Sequence, residues 1–117
     1  MTERDPEVSL NACEVIASGG VRRVTWHVQR GDDWIVASQL ENAEISQDPS
    51  RPGVVWQQRT RVRLPHGTRL MRVESLPDRE RARDPIDYLW DARPRAARRI
   101  VRHFFRVDAS GALMRER

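Results

Sequence analysis

The chain has no lysine: all 21 of its basic residues are arginine. Guanidinium is planar, permanently charged and more weakly hydrated than ammonium, so it suits phosphate, carboxylate and aromatic faces. A GC-rich genome produces the same bias, so any meaning must lie in where the arginines fall. Cysteine is almost absent. The single Cys13 excludes an internal disulfide, fits a reducing compartment, and reads as a small buried hydrophobe in an apolar stretch. No apolar run approaches the ~18–20 residues that a membrane-spanning helix needs. The first seven residues, Met1 to Glu7, are acidic and polar, unlike the basic start and apolar middle of a signal peptide. The expectation is a small cytoplasmic bacterial protein with no membrane association.

Catalytic signatures are missing as well. There is no Gly-x-Gly-x-x-Gly and no P-loop, and Gly19-Gly20 is too short to cradle a phosphate. His27, His66 and His103 have no metal-ligand spacing with Cys13 or with nearby carboxylates. Asp32-Asp33 follows a glycine and is explained by turn preference. No cofactor, no metal and no enzymatic activity is expected.

What is present is a folded domain's worth of material. At 117 residues, 38% hydrophobic and 32% charged, with four tryptophans, the chain supports one core without metals or disulfides. Residues 1–7 read as a flexible acidic tail and 8–117 as a single domain, mostly β over 8–76 and mostly helical over 84–106. Val8–Ala17 suits a first strand. Val21–Arg30 alternates, with Val24, Trp26 and Val28 on one face and Arg23, Thr25, His27 and Gln29 on the other. Arg30-Gly31-Asp32-Asp33 turns the chain into a return strand, Trp34–Leu40, whose apolar side is assigned Trp34, Val36 and Leu40. The prolines and Gly53 in Glu41–Gly53 favour a loop.

Val54–Leu64 alternates most cleanly: Val54, Trp56, Thr60, Val62 and Leu64 on one face, Gln57, Arg59, Arg61 and Arg63 on the other. Pro65–Thr68 turns into a second expected hairpin with Arg69–Ser75. Asp78–Arg83 alternates in charge, as an exposed linker or one helical turn does. Asp84-Pro85 carries a helix start signal, with Ile86, Leu89 and Trp90 at helical spacing. Pro94 then opens a C-terminal amphipathic helix with Ala97, Ile100, Val101, Phe104 and Phe105 on its apolar stripe. Phe104–Met114, with Gly111 in its middle, also suits a hairpin. The expected fold class is therefore α+β: a four- to five-stranded antiparallel sheet of two hairpins, or a small partly open barrel, covered by a C-terminal amphipathic helix.

The charge is concentrated. Residues 54–72 hold five arginines and no acid, and residues 93–107 hold six and no acid, on a chain whose net charge is only +4. Arg59, Arg61 and Arg63 project from one strand face at about 6.5–7 Å intervals, near the spacing of phosphates along an extended single strand, and Arg69 extends the series past the turn. Arg95, Arg98, Arg99 and Arg102 form the basic stripe of the expected helix. Trp26, Trp34 and Trp56 fall on apolar faces, which assigns them to the core and leaves backbone phosphate contacts as the binding term. The expected function is non-enzymatic binding of nucleic acid, DNA or RNA, through arginine–phosphate contacts. The alternative is a protein-interaction module, an adaptor or inhibitor, presenting the same eight arginines to an acidic partner surface. The nucleic-acid reading requires both arrays on one continuous face.

Overall fold

Alternation of apolar and polar residues governs nearly all of the chain that the computed structural model describes, residues 5–17, 20–48, 51–77 and 98–117. Eight strands form in chain order: β1 (Glu7–Ala17), β2 (Gly20–Arg30), β3 (Asp33–Val36), β4 (Glu44–Gln47), β5 (Val54–Arg63), β6 (Arg69–Pro77), β7 (Arg98–Val107) and β8 (Leu113–Arg115). They join one antiparallel sheet in the order β4-β5-β1-β2-β6-β7-β8, with β3 also paired to β2. The only helical element among the described residues is a 3₁₀ turn, Ala37–Gln39.

β2 is the axis of the sheet. One edge pairs with β6 through Arg23↔Ser75 to Val28↔Leu70. The other edge is shared: Cys13↔Val24 to Ala17↔Gly20 join it to β1, and His27↔Val36 to Arg30↔Asp33 join it to β3. The sheet forks between these two partners. β1 leaves β2 and continues with β5 and β4, so that Val8 and Leu10 of β1 and Val62 and Leu64 at the end of β5 pack against Val28, Leu70 and Val107 of the β2-β6-β7 limb. Ala37 and Leu40, with Ile35 and Leu113 at the rim, close this wedge. Leu10, Leu64 and Leu70 are essentially without exposure, each contributing roughly 1.5–3 kcal/mol by leaving water. Backbone bonds close the end of each limb, Leu64 N–H donating to Pro6 O (3.1 Å) beside β1 and Gly67 N–H to Val107 O (2.8 Å) on β7.

The α+β expectation is overturned. The sheet has eight strands rather than four or five, and residues 98–107 of the expected C-terminal helix are β7, paired with β6 from Arg69↔Arg106 to Pro77↔Arg98. The reason lies in the apolar doublets Ile100-Val101 and Phe104-Phe105. At i, i+3, i+4 spacing they mimic a helical stripe, but they equally supply both faces of a two-sided strand, and β-branched and aromatic residues favour the latter. Phe105 reaches Trp26, with ring centroids 5.4 Å apart, while Phe104 reaches Trp34 on the opposite face at 5.9 Å. The hairpin around Gly111 does form, as β7-β8. The expected helical segment 84–91, the linker 78–83 and Arg95 lie outside the described residues.

Three further expectations change. The β2-β3 hairpin forms, but β5 and β6 are not hydrogen-bonded to each other; the chain crosses the core between them, placing Leu64 and Leu70 in one cluster. A short strand, β4, lies within the expected loop 41–53 and pairs with β5. The faces of β3 are also reversed. Ile35 packs against the core cluster and Trp34 lies on the outer face, because a two-residue turn sets Val28 opposite Ile35. A one-residue shift exchanges the faces of a strand.

Candidate interaction surfaces

With Val62 and Leu64 turned into the core, Arg59, Arg61 and Arg63 project from the outer surface of the β5-β1-β4 limb, all exposed. Their cross-strand neighbours dilute them. Arg63 lies opposite Glu7, and Arg61 lies between Ser9 and Glu44. The Arg59 Nε–H donates to Asn11 Oδ1 (3.4 Å) and an Arg63 Nη1–H to the Asp5 carbonyl (2.8 Å).

The second array divides. Leu70 and Val107 point into the core, so Arg69, Arg102 and Arg106 point to the outer surface of the β2-β6-β7 limb. Since the two limbs pack core face to core face, this surface and the Arg59-Arg61-Arg63 surface look away from each other. Arg99 alternates to the other side of β7 from Arg102; Arg98 marks the start of the strand. Of the eight arginines singled out by sequence, the structure therefore gathers three on one surface and two, Arg69 and Arg102, on the opposite one.

Arg69 is engaged. Its guanidinium carbon lies 4.4 Å from the Phe104 ring centroid and 5.8 Å from that of Trp34, and its Nε is 3.0 Å from Glu116 Oε2. Arg106 shares the same carboxylate at 3.4 Å and donates to Gly67 O. Cation–π contacts of this type contribute roughly 0.5–2 kcal/mol, so Arg69 fastens β6 to β7 and β8. Arg102 and Arg99, by contrast, are exposed.

Sequence reasoning passed over the C-terminal Arg115-Glu116-Arg117, which falls outside both acid-free windows. Arg102, His103, Phe104, Arg115, Glu116 and Arg117 line an open cleft of about 520 Å³ beside β7. Glu116 is neutralised by Arg69 and Arg106, and an Arg115 Nη2 lies 2.9 Å from His103 Nδ1. The cleft therefore presents Arg102, Arg115 and Arg117 as its charge. Only their convergence in space identifies them; no periodicity links positions 102 and 115.

No protein-family model, curated protein or solved structure matches the chain. Among the described residues no group of three or more His, Cys, Asp or Glu side chains is placed to hold a metal ion, and no helix is long and apolar enough to cross a membrane. His27 Nδ1 is buried without a hydrogen-bond partner, and burial pushes the ring's pKa below its ordinary value. The ring is therefore neutral at pH 7, beside Val36 and Met71 at paired positions of β3 and β6.

One ion-pair cluster is structural. Arg22 Nε donates to Glu74 Oε1 at 2.5 Å and Arg72 Nη1 to Oε2 at 3.2 Å, on a carboxylate only 14% exposed. The hydrogen bond from Arg22 is the main cause that holds Glu74 below the usual glutamate range, with the charges of Arg22 and Arg72 adding to it against the opposing effect of burial. A depressed folded-state pKa means that the unfolded chain binds the proton first. The stabilisation is thus fully present above the unfolded value near 4.5 and is lost as pH falls through the lower folded value. The expected result is that Glu74→Gln loses stability at pH 7 and shows a shallower decline than wild type below about pH 4.5, measured by urea unfolding across pH 2.5–7.

Proposed function

We propose that this protein is a non-enzymatic interaction module that binds an acidic segment of a partner protein at the β7-β8 end of its sheet. The observation that carries this reading is the cleft beside β7, which Arg102 lines from the outer side of the strand and Arg115 from the other, with Arg117 at its rim, while its lining acid, Glu116, is already paired. Guanidinium groups suit carboxylates because their fork matches the two oxygens. A continuous phosphate track is disfavoured by the opposed directions of the two arrays and by the acids set among Arg59, Arg61 and Arg63. A cytoplasmic setting belongs to the same proposal, since the lone Cys13 suits a reducing compartment.

Fluorescence anisotropy at low salt separates the two readings. A labelled glutamate-rich peptide is expected to bind, and the pair Arg102→Glu with Arg115→Glu to weaken it at least tenfold. The triple variant Arg59→Glu, Arg61→Glu, Arg63→Glu should leave that affinity within twofold. Binding of a labelled single-stranded oligonucleotide that is lost in the triple variant and kept in the double would establish nucleic acid as the ligand instead.

A further inference from the structure

We infer that the partner's segment binds as an added β-strand along the open edge of β7, in line with β8. This rests on the acidic-partner reading and specifies how the segment is held. The geometry follows from backbone directions. Val107 N–H donates to Thr68 O and Val107 O accepts from Gly67, so residue 107 and its alternates 105, 103 and 101 direct their peptide groups toward β6. Residues 106, 104, 102 and 100 direct theirs the other way. β8 takes up the first of these, with Arg106 opposite Met114 and Glu116 N–H donating to Phe104 O at 2.8 Å. Beyond that point no described strand pairs with β7 on this side. The peptide groups of Ile100 and Arg102 face an edge that is unpaired among the described residues and runs on from the arginine-lined cleft.

An open edge is a template for a further strand, and its side chains select which one. Arg99, Ile100, Val101 and Arg102 read charged–apolar–apolar–charged. Arg99 and Arg102 are exposed, and Ile100 keeps 45% of its surface in solvent. A second copy of this edge is a poor occupant. Residues facing this edge can only oppose residues that also face it. Antiparallel pairing centred on Ile100 therefore sets Arg98 against Arg102 twice, and pairing centred on Val101 sets Arg102 against Ile100 twice. Like charges directly opposite each other repel. The complementary occupant is an extended segment with the pattern acidic–apolar–apolar–acidic. Running antiparallel to β7, its leading acid lies opposite Arg102, next to the end of the chain at Arg115-Glu116-Arg117.

The test uses the 117-residue chain and a capped peptide, acetyl-Glu-Val-Val-Glu-Thr-amide, whose first residue is set opposite Arg102 just past the end of β8, titrated by isotope-edited NMR. The unmodified peptide is expected to slow exchange of the Ile100 and Arg102 amide protons at least tenfold. Methylating the peptide nitrogens of its first and third residues, which face β7, should weaken binding tenfold or more. Methylating the second and fourth, which face away, should leave it within threefold. If both methylated peptides bind as well as the parent and Arg102→Glu with Arg115→Glu still abolishes binding, the acidic-partner reading stands and strand addition is overturned. If the parent peptide fails to bind at low salt, both are overturned.

Discussion

Replacing Gly111 with alanine is expected to cost about 3 kcal/mol or more, the sum of positive-φ strain and forced overlap. Gly111 sits at φ +91 in the turn between β7 and β8, where the Asp108 carboxylate accepts hydrogen bonds from Ser110 N–H (2.7 Å), Ser110 Oγ–H (2.7 Å) and Ala112 N–H (3.0 Å). A Cβ at that position would overlap the carbonyl oxygen of Glu7 and crowd the Pro6 side chain at 3.3 Å. The turn is thus seated on the start of β1. Gly67 is the control. Its φ is +87, yet nothing lies within 4 Å of where its Cβ would be, so Gly67→Ala carries backbone strain alone, roughly 1–2 kcal/mol. Urea denaturation of both variants gives the comparison directly. Equal losses at the two positions would show that the turn does not rest on β1.

Leu70→Ala is the second large effect. Leu70 is wholly buried, opposite Val28 on one side and Phe105 on the other, inside the cluster that both limbs share. Leucine-to-alanine changes at such sites cost about 2–5 kcal/mol, the spread reflecting how far the cavity collapses. A residue clamped between two strands has little room to relax, which places this one in the upper half of the range. Against a total stability of roughly 5–15 kcal/mol, the variant should melt at least ~10 °C lower. Ile100→Ala, at an exposed position on the same sheet, should stay within ~0.5 kcal/mol while weakening peptide binding. A melting temperature for Leu70→Ala within a few degrees of wild type would remove Leu70 from the centre of the core.

How much of this was legible in the sequence varies by strand. β1, β2 and β5 could be read from alternation because each has one face committed to the core: Val8 and Leu10, Val24 and Val28, Val62 and Leu64 are all buried. β7 could not, since its apolar doublets serve both faces and so carry no two-residue period. Trp34 was misplaced because its bulk suggests burial, whereas the turn at Gly31-Asp32 fixes which of Trp34 and Ile35 turns inward. Nor could strand order be read. A short link such as Pro65–Thr68 suggests a hairpin, but the same length also lets the chain cross from one limb to the other. Arg59, Arg61 and Arg63 lie on one exposed face as alternation requires. The cleft of Arg102, Arg115 and Arg117 arises only when β8 folds back on β7, a relation between strands that no local pattern contains.

The fork at β2 also dictates an order of assembly. β1 and β2 are adjacent in sequence and pair locally, but their remaining edges await much later parts of the chain: Glu7 pairs with Arg63, and Val28 with Leu70. During synthesis from the N-terminus, the first hairpin emerges with Val8, Leu10, Val24 and Val28 uncovered and holds them so until β5 and β6 arrive. Pairings this distant in sequence place folding in the millisecond-to-second range typical of non-local β topologies. The nascent chain is therefore most vulnerable to aggregation and most dependent on chaperone protection between the appearance of β2 and the closing of β6 against it.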